Sequence, residues 1–580
     1  MNIMSKLIIP YLSSLMLLFV FLTVCRNAEA QKYSEFKYKV AIIGNPGNPD
    51  IRYDAKQLSE LKKLGFNTIQ LNIAWGSRPA DEALNLEDIL YSGIGKREAV
   101  EKRLKDIKFR AREAKKYGFR TIVHFGAPKV DSLYKIVNKQ ASIDRETETN
   151  SIQKIEIIQK YIDLLKRLNQ EIPEIDDILV YTFDQEAWIA NEFGNGPTDQ
   201  DIPLHERLPA FLNALTETWA KLSPNGLLWW EPWELSAGQI YSCLPSLPSH
   251  HFGFSIHSNI AEVQLTRPVD VWFKNMVNIL SEKNIPVIGE IFMGSGTEEL
   301  EPLQHLAAPR LVFEEFEAMY NLINLTGIKE YYGLLPGTYD PNLIVAGMKL
   351  KNPSMTWQQS LQQLSKTFGK AASQIAEAWE ASAKGLQLFP WDCTWNFRRL
   401  LLRRHVFHDF KRAIIAGKVA TSPSWQSTRR SLFMVTENEV IDPLFFEDIE
   451  LRCKASADQL LVAISAYEQV LKDLTAEHEL QLYFAAVVTD LKKFEQAVRA
   501  IQCYCREANL TFLMRKHVIN GKPIPSDLIN RFNLIMKTDI ENQQKNFEQN
   551  TRNVATAEEM LKEFNTDPKK WVANNFLGNK

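Results

Sequence analysis

An α/β chain built as a closed (β/α)8 barrel and followed by an α-helical C-terminal domain is the architecture this 580-residue sequence predicts. Three observations carry the expectation. Short β-branched and aromatic runs alternate with longer amphipathic stretches between residues 37 and 340, the pattern of repeated strand–helix units around a parallel sheet. Eight such runs can be counted, which favours a closed barrel over a doubly wound open sheet. Beyond residue 440 no two-residue alternation survives and helical periodicity takes over.

The eight predicted strands are Tyr38–Gly44, Phe66–Trp75, Phe119–Gly126, Asp177–Glu186, Gly226–Trp233, His251–His257, Ile285–Phe292 and Ile328–Leu335. Between them lie helix-like stretches at Ala55–Leu64, Arg97–Tyr117, Ile152–Leu168, Pro209–Leu222, Val269–Lys283 and Leu311–Leu322. The first of these sets Leu58, Leu61 and Leu64 on one stripe. Two junctions share one form, Leu64-Gly65-Phe66-Asn67-Thr68 and Tyr117-Gly118-Phe119-Arg120-Thr121. A glycine just past a helix end takes the left-handed cap that turns the chain back into the sheet.

After Leu335 a helix-like run, Trp357–Lys384, leads into the aromatic loop Phe389-Pro390-Trp391-Asp392-Cys393-Thr394-Trp395. Farther on, Leu460, Ile464, Tyr467, Leu471 and Leu474 form one helical stripe, and Leu480, Phe484, Val487, Leu491, Phe494 and Val498 another. A third, polar helix is expected over Ser526–Phe564. The predicted organisation is a signal peptide at 1–30, the barrel at 31–345, a barrel-completing helix and aromatic loop at 346–440, and a helical bundle at 441–580 that packs on the barrel or offers a surface for protein contacts.

The N-terminus reads as an export signal. Lys6 supplies the positive start, Leu7 to Val24 is nearly continuous apolar chain, and Ala28-Glu29-Ala30 offers small residues for cleavage. Periplasmic or secreted location is expected. Lipid anchoring through Cys25 is the lesser option, because Val24 is bulky for the residue before a lipidated cysteine. No later segment is apolar enough to span a bilayer. The 68 basic and 70 acidic residues leave a net charge of −2, which gives no electrostatic basis for nucleic-acid binding. Besides Cys25, the five cysteines Cys243, Cys393, Cys453, Cys503 and Cys505 are odd in number and scattered, so buried thiols are expected rather than a disulfide framework.

In a barrel the last residues of each strand line the active site. Those positions hold Asn72 and Trp75, His124, Asp184 and Glu186, Trp230, Glu231 and Glu234, His257, Glu290, and Tyr331 or Tyr332. Glu186 and Glu290 each end an otherwise apolar strand, where a carboxylate needs a partner or a function to offset its desolvation. Cleavage of a glycosidic bond requires two carboxyl groups: one protonates the leaving oxygen, and the other attacks the sugar carbon or activates water. No His/Cys/Asp/Glu spacing matches a metal site, and no glycine-rich phosphate loop follows the first strand, so neither metal nor cofactor is expected.

Over residues 37–340 the pattern resembles the superfamily of retaining (β/α)8 glycoside hydrolases, whose acid/base ends strand four and whose nucleophile ends strand seven. By that likeness Glu186 is the acid/base, Glu290 the nucleophile and His257 the group that holds the nucleophile. The superfamily commonly has Asn before the acid/base, where this chain has Gln185. The expected substrate is an oligo- or polysaccharide, contacted by Trp75, His124, Asp184, Gln185, Trp230, Glu231, His257 and Tyr332. A minor alternative has Asp184 orient a substrate N-acetyl group while Glu186 acts as acid, and Glu231 is a third carboxylate suited to sugar hydroxyls. The rival functional class is a non-catalytic glycan-binding or scaffold protein that keeps the barrel. Few basic residues fall at the strand ends, which argues against uronic-acid substrates.

Overall fold

The computed structural model describes residues 35–45, 53–73, 85–93, 96–128, 151–182, 201–232, 235, 237–258, 269, 271–297, 300, 303–390, 418–419, 439–440, 443–474, 478–545 and 551–577. Eight parallel strands close on themselves: β1 (Tyr38–Ile42), β2 (Thr68–Gln70), β3 (Arg120–Gly126), β4 (Asp177–Tyr181), β5 (Leu228–Glu231), β6 (Phe252–His257), β7 (Val287–Ile291) and β8 (Gly327–Glu330). Each pairs with the next, and β8 pairs with β1 through Tyr38–Gly327 and Val40–Lys329. The closed (β/α)8 barrel is therefore present, with shorter strands than the sequence pattern marks. The eighth strand is displaced most: it ends at Glu330, so Tyr331 and Tyr332 lie just beyond it.

The helices around the barrel are α1 (Ala55–Leu64), α2 (Leu86–Ile89), α3 (Arg97–Lys116), α4 (Ile155–Glu171), α5 (Leu204–Leu222), α6 (Ala237–Cys243), α7 (Val271–Glu282), α8 (Pro309–Tyr320) and α9 (Pro341–Lys351). Helix α1 begins at Asp54, whose carboxylate accepts from the Gln57 N–H, and ends at Gly65 with φ +99°. Helix α5 starts five residues before the Pro209 expected to open it. Proline in its second turn removes one backbone hydrogen bond. The buried face of Leu204, Leu208, Leu212, Leu215 and Trp219 outweighs that loss.

Period-two alternation divides the barrel interior into two layers. Tyr38, Val40, Ile122, Leu179, Trp229 and Ile288 form a buried apolar cluster of their own, separate from the core beneath the helices. Gly253 and Gly327 make room for it. A Cβ on Gly253 would lie 2.4 Å from Trp229 Cζ3, and one on Gly327 would lie 2.6 Å from Tyr38 Cβ. Two residues nearer the carboxyl ends, the same strands carry His124, Tyr181, Glu231, Ser255, Glu290 and Lys329. An apolar floor thus supports a polar layer at the mouth.

After α9 come α10 (Trp357–Ser365) and α11 (Ala372–Leu388), two helices where one run was expected, interrupted near Gly369 at φ +53°. Residues 418–419 and 439–440 form a short antiparallel pair, β9 and β10. The C-terminal region is helical: α12 (Pro443–Asp473), α13 (His478–Ile519), α14 (Ser526–Lys545), α15 (Thr551–Thr566) and α16 (Pro568–Phe576). The stretch expected as one helix from Ser526 is covered by α14 and α15. No helix among the described residues is long and apolar enough to cross a membrane.

Helix α12 packs on α11, where Ser456 Oγ donates to the Gly385 carbonyl at 2.7 Å. Beyond that contact, the loop between β7 and α8 is held from the helical region. Tyr467 Oη donates to the Ala307 carbonyl at 3.3 Å, and Asp490 Oδ2 accepts from the backbone N–H groups of Gln304 and His305 at 3.0 and 3.1 Å. Cys243, Cys453, Cys503 and Cys505 are buried thiols, while Cys25 and Cys393 lie outside the described residues.

Replacing Gly253 by Val should lower the unfolding free energy by about 2 kcal/mol or more, because the added side chain overlaps Trp229 in the barrel floor. Urea unfolding measures this, and an unshifted midpoint would mean that Trp229 can move aside.

Candidate active site

Five side chains from five strands meet at the carboxyl end of the barrel: His124 of β3, Glu231 of β5, His257 of β6, Glu290 of β7 and Lys329 of β8. All are 5 % exposed or less, so their charges interact with little solvent screening. Strand register sets the group. His257 pairs with Glu290 across β6 and β7, and Glu290 pairs with Lys329 across β7 and β8.

Lys329 ties the centre together. Its Nζ is 3.0 Å from Glu290 Oε1 and 3.9 Å from Glu231 Oε2. Ser255 Oγ donates to the same Glu290 Oε1 at 2.6 Å. His257 Nε2 lies 3.3 Å from Glu290 Oε2 and 3.7 Å from Glu231 Oε1, and its ring meets that of Tyr331 edge-on at 4.3 Å. One oxygen of each glutamate and a His257 ring nitrogen all fall within 4.8 Å of one another. Such a trio is also a ligand set for a divalent cation, but the Lys329 ammonium already sits against both carboxylates and would repel one.

The tautomer of His124 follows from its neighbours. Gln70 Nε2 donates to the Asn72 carbonyl at 2.8 Å, which fixes which end of the amide carries hydrogen, and the same nitrogen lies 3.2 Å from His124 Nδ1. Nδ1 is therefore the acceptor, and Nε2 carries its proton toward Glu231 Oε2 at 3.2 Å. Burial pushes the His124 pKa down, so the ring is neutral. Asn72 clamps the strand here: its amide exchanges hydrogen bonds with the His124 backbone at 2.7 and 3.0 Å.

Burial acts to raise the Glu231 pKa, but Lys329 and the two histidines override it and hold the carboxyl well below the usual range. Glu231 is accordingly an acceptor and an unsuitable proton donor. Glu330, next to Lys329, behaves oppositely. Burial lifts its pKa to about 7 although the N–H groups of Gly333, Met293 and Tyr332 oppose the rise. It straps the β7 and β8 ends together.

Of the residues expected at the site from the sequence, His124, Glu231, His257 and Glu290 are brought together. Trp230 falls on the opposite face of β5 from Glu231, packed 5.0 Å from Phe254 with its Nε1 donating to Thr182 Oγ1, so it belongs to the core rather than to a sugar platform. Tyr332 is buried beyond β8, and Tyr331 is the tyrosine whose ring meets His257. Trp75, Asp184, Gln185, Glu186 and Glu234 lie outside the described residues. Lys329, Ser255 and Gln70 escaped the sequence reading. Lys329 is a basic residue that the sequence pattern did not place at a strand end, since the eighth strand ends earlier than that pattern indicates.

Neither a protein-family model nor a curated protein matches this sequence. Among solved structures it is similar to a GH138 enzyme targeting pectin rhamnogalacturonan II, with a TM-score of 0.64 at 12 % identity over 95 % of this chain and 70 % of that one. Similarity extends to a mutant O-GlcNAc hydrolase of Thermobaculum terrenum, with a TM-score of 0.44 at 11 % identity over 94 % of this chain and 100 % of that one. A mutant of a family 5 glycoside hydrolase of Prevotella bryantii matches with a TM-score of 0.36 at 12 % identity over 54 % of this chain and 96 % of that one. At 12 % identity the likeness to the GH138 enzyme is one of fold. Fold and site together define a (β/α)8-barrel protein with a lysine-bridged carboxylate centre at its mouth.

Replacing Lys329 by Met leaves two buried carboxylates without their cation and should cost about 3–5 kcal/mol at pH 7. The folded pKa of Glu231 is depressed, so its contribution is present above the ordinary carboxylate pKa of about 4.3 and is lost as pH falls below it. The wild-type advantage should therefore shrink in urea titrations run at progressively lower pH. An advantage independent of pH would assign Lys329 a packing role.

Proposed function

We propose that this chain is an exported glycoside hydrolase that cleaves an O-glycosidic bond of a glycan with retention of configuration. The observation that carries the proposal is the carboxylate pair: Glu231 and Glu290 are buried at the barrel mouth with oxygens within 4.8 Å, held by Lys329, His257 and His124. Glycosidic cleavage proceeds through an oxocarbenium-like transition state. Two carboxylates against one ammonium leave an excess of negative charge where that positive charge develops.

In this reading Glu290 attacks the anomeric carbon. Ser255 and Lys329 hold its Oε1, while Oε2 faces His257. Glu231, kept ionised, accepts hydrogen bonds from sugar hydroxyls and supports the positive transition state. The leaving oxygen needs a proton from elsewhere, and Glu186, five residues after Tyr181, the last residue of β4, is assigned that role on its place in the sequence. The bond from Glu290 to the sugar forms as the glycosidic bond breaks. Water, deprotonated by Glu186, then releases the sugar and restores Glu290.

Glu290→Gln should reduce turnover at least about 1,000-fold while glycan binding persists. Glu186→Ala should keep the first step on aryl glycosides with good leaving groups, which depart without protonation. Product configuration decides the outcome class: if proton NMR shows the inverted anomer first, Glu290 is not a covalent nucleophile. A Glu290→Gln variant at full activity would overturn the assignment.

A further inference from the structure

Beside the carboxylate centre, where β7, β8 and β1 end, lies a second group of polar side chains that the hydrolytic steps do not use. Asn45 follows β1, Thr297 and Gln304 lie on the loop after β7, and Tyr332 follows β8. Asn45 and Thr297 are each 3 % exposed. Among the described residues, Asn45 Oδ1, Thr297 Oγ1 and both amide atoms of Gln304 are buried without a hydrogen-bond partner. The side chains of Asn45 and Gln304 meet at Gly296, and Thr297 follows it in the chain. A Cβ there would lie 3.0 Å from Gln304 Oε1, 3.2 Å from Asn45 Nδ2 and 3.3 Å from Tyr332 Cε1, so a residue without a side chain is what lets these groups approach one another.

Buried polar atoms in native proteins are nearly always paired, and an unpaired one costs free energy. Four such atoms on three side chains point to a partner that both donates and accepts. None of the four belongs to a charged group, and among the described residues the nearby ionisable groups are already engaged. Asp340 accepts from Ser295 and the start of α9, Glu330 accepts from three N–H groups, and His305 pairs with Asp490 at 3.0 Å. No cation among these side chains is free to receive an anion.

We infer that Asn45, Thr297 and Gln304 form an uncharged subsite for the hydroxyl groups of a neutral sugar ring. The inference deepens the glycosidase reading and rests on it for the bond that is cut, although sugar binding stands or falls separately. Amide and hydroxyl groups recognise vicinal hydroxyls by paired donation and acceptance, whereas a uronate would bring a charge that the subsite cannot neutralise. Asp490 of α13 positions Gln304 by accepting its backbone N–H, so the helical region acts on the subsite through the loop.

The test uses the full-length chain and saturation-transfer NMR with D-glucose, D-galactose, D-mannose and D-xylose, set against D-glucuronate and D-galacturonate. At least one neutral sugar should bind, with its matching uronate at least tenfold weaker. Gln304→Leu removes unpaired atoms while nearly keeping shape, so it should leave Tm unchanged or raised and weaken sugar binding at least tenfold. Gly296→Ala, which narrows the same space, should weaken binding similarly. Neutral-sugar binding without release of sugar from any glycan would overturn the hydrolase reading and leave the subsite standing. Absence of neutral-sugar binding, equal binding of uronates, or a Gln304→Leu variant that loses Tm but keeps affinity would each overturn the subsite.

Discussion

Two carboxylates buried side by side repel each other strongly in a medium of low polarity, and the centre exists because Lys329 stands against both. The ammonium reaches Glu290 directly and Glu231 at longer range, and the two histidines take the remaining faces. This requirement explains the register of the last three strands. His257, Glu290 and Lys329 are paired in register across β6, β7 and β8, and a slip of one residue in any of these strands would turn its side chain toward the helices. Even then the charges do not balance. The surplus carboxylate makes the mouth suited to a positively charged transition state, while Lys329 and the histidines keep the buried Glu231 ionised.

The polar layer is tolerated only because the layer below it is apolar and tightly filled. Trp229 occupies the floor where Gly253 concedes space, and Tyr38 does the same against Gly327. Water is kept from the charges from below, while the strand ends are strapped from the side by Glu330. The helical region adds a third support. Tyr467 and Asp490 hold the loop after β7, so a domain with no strand in the barrel shapes one wall of its mouth.

Much of the barrel was legible in the sequence, because parallel strands buried on both faces leave continuous apolar runs between amphipathic helices. The runs overshot the hydrogen-bonded strands, since apolar residues continue into the turns where pairing has ended. That overshoot had a consequence at β8. Placing the strand end near Leu335 drew attention to Tyr331 and Tyr332 and away from Lys329, which read as a residue at the strand's start. Trp230 was misplaced for the complementary reason: a strand-end tryptophan looks the same in sequence whether it faces the mouth or the helices, and only the position of Glu231 next to it decides.

The sequence by itself determined the eight-unit alternation, the helical character of the C-terminal region, and the presence of Glu290, His257, Glu231 and His124 at strand ends, because each is a matter of local periodicity and residue type. Only the tertiary structure decided that Lys329 bridges two of those carboxylates, that His124 presents Nε2 to Glu231, and that Asn45 meets Gln304 at Gly296. These are relations between residues dozens to hundreds of positions apart. Closing the barrel, and with it β8 onto β1, is the step that brings them within reach.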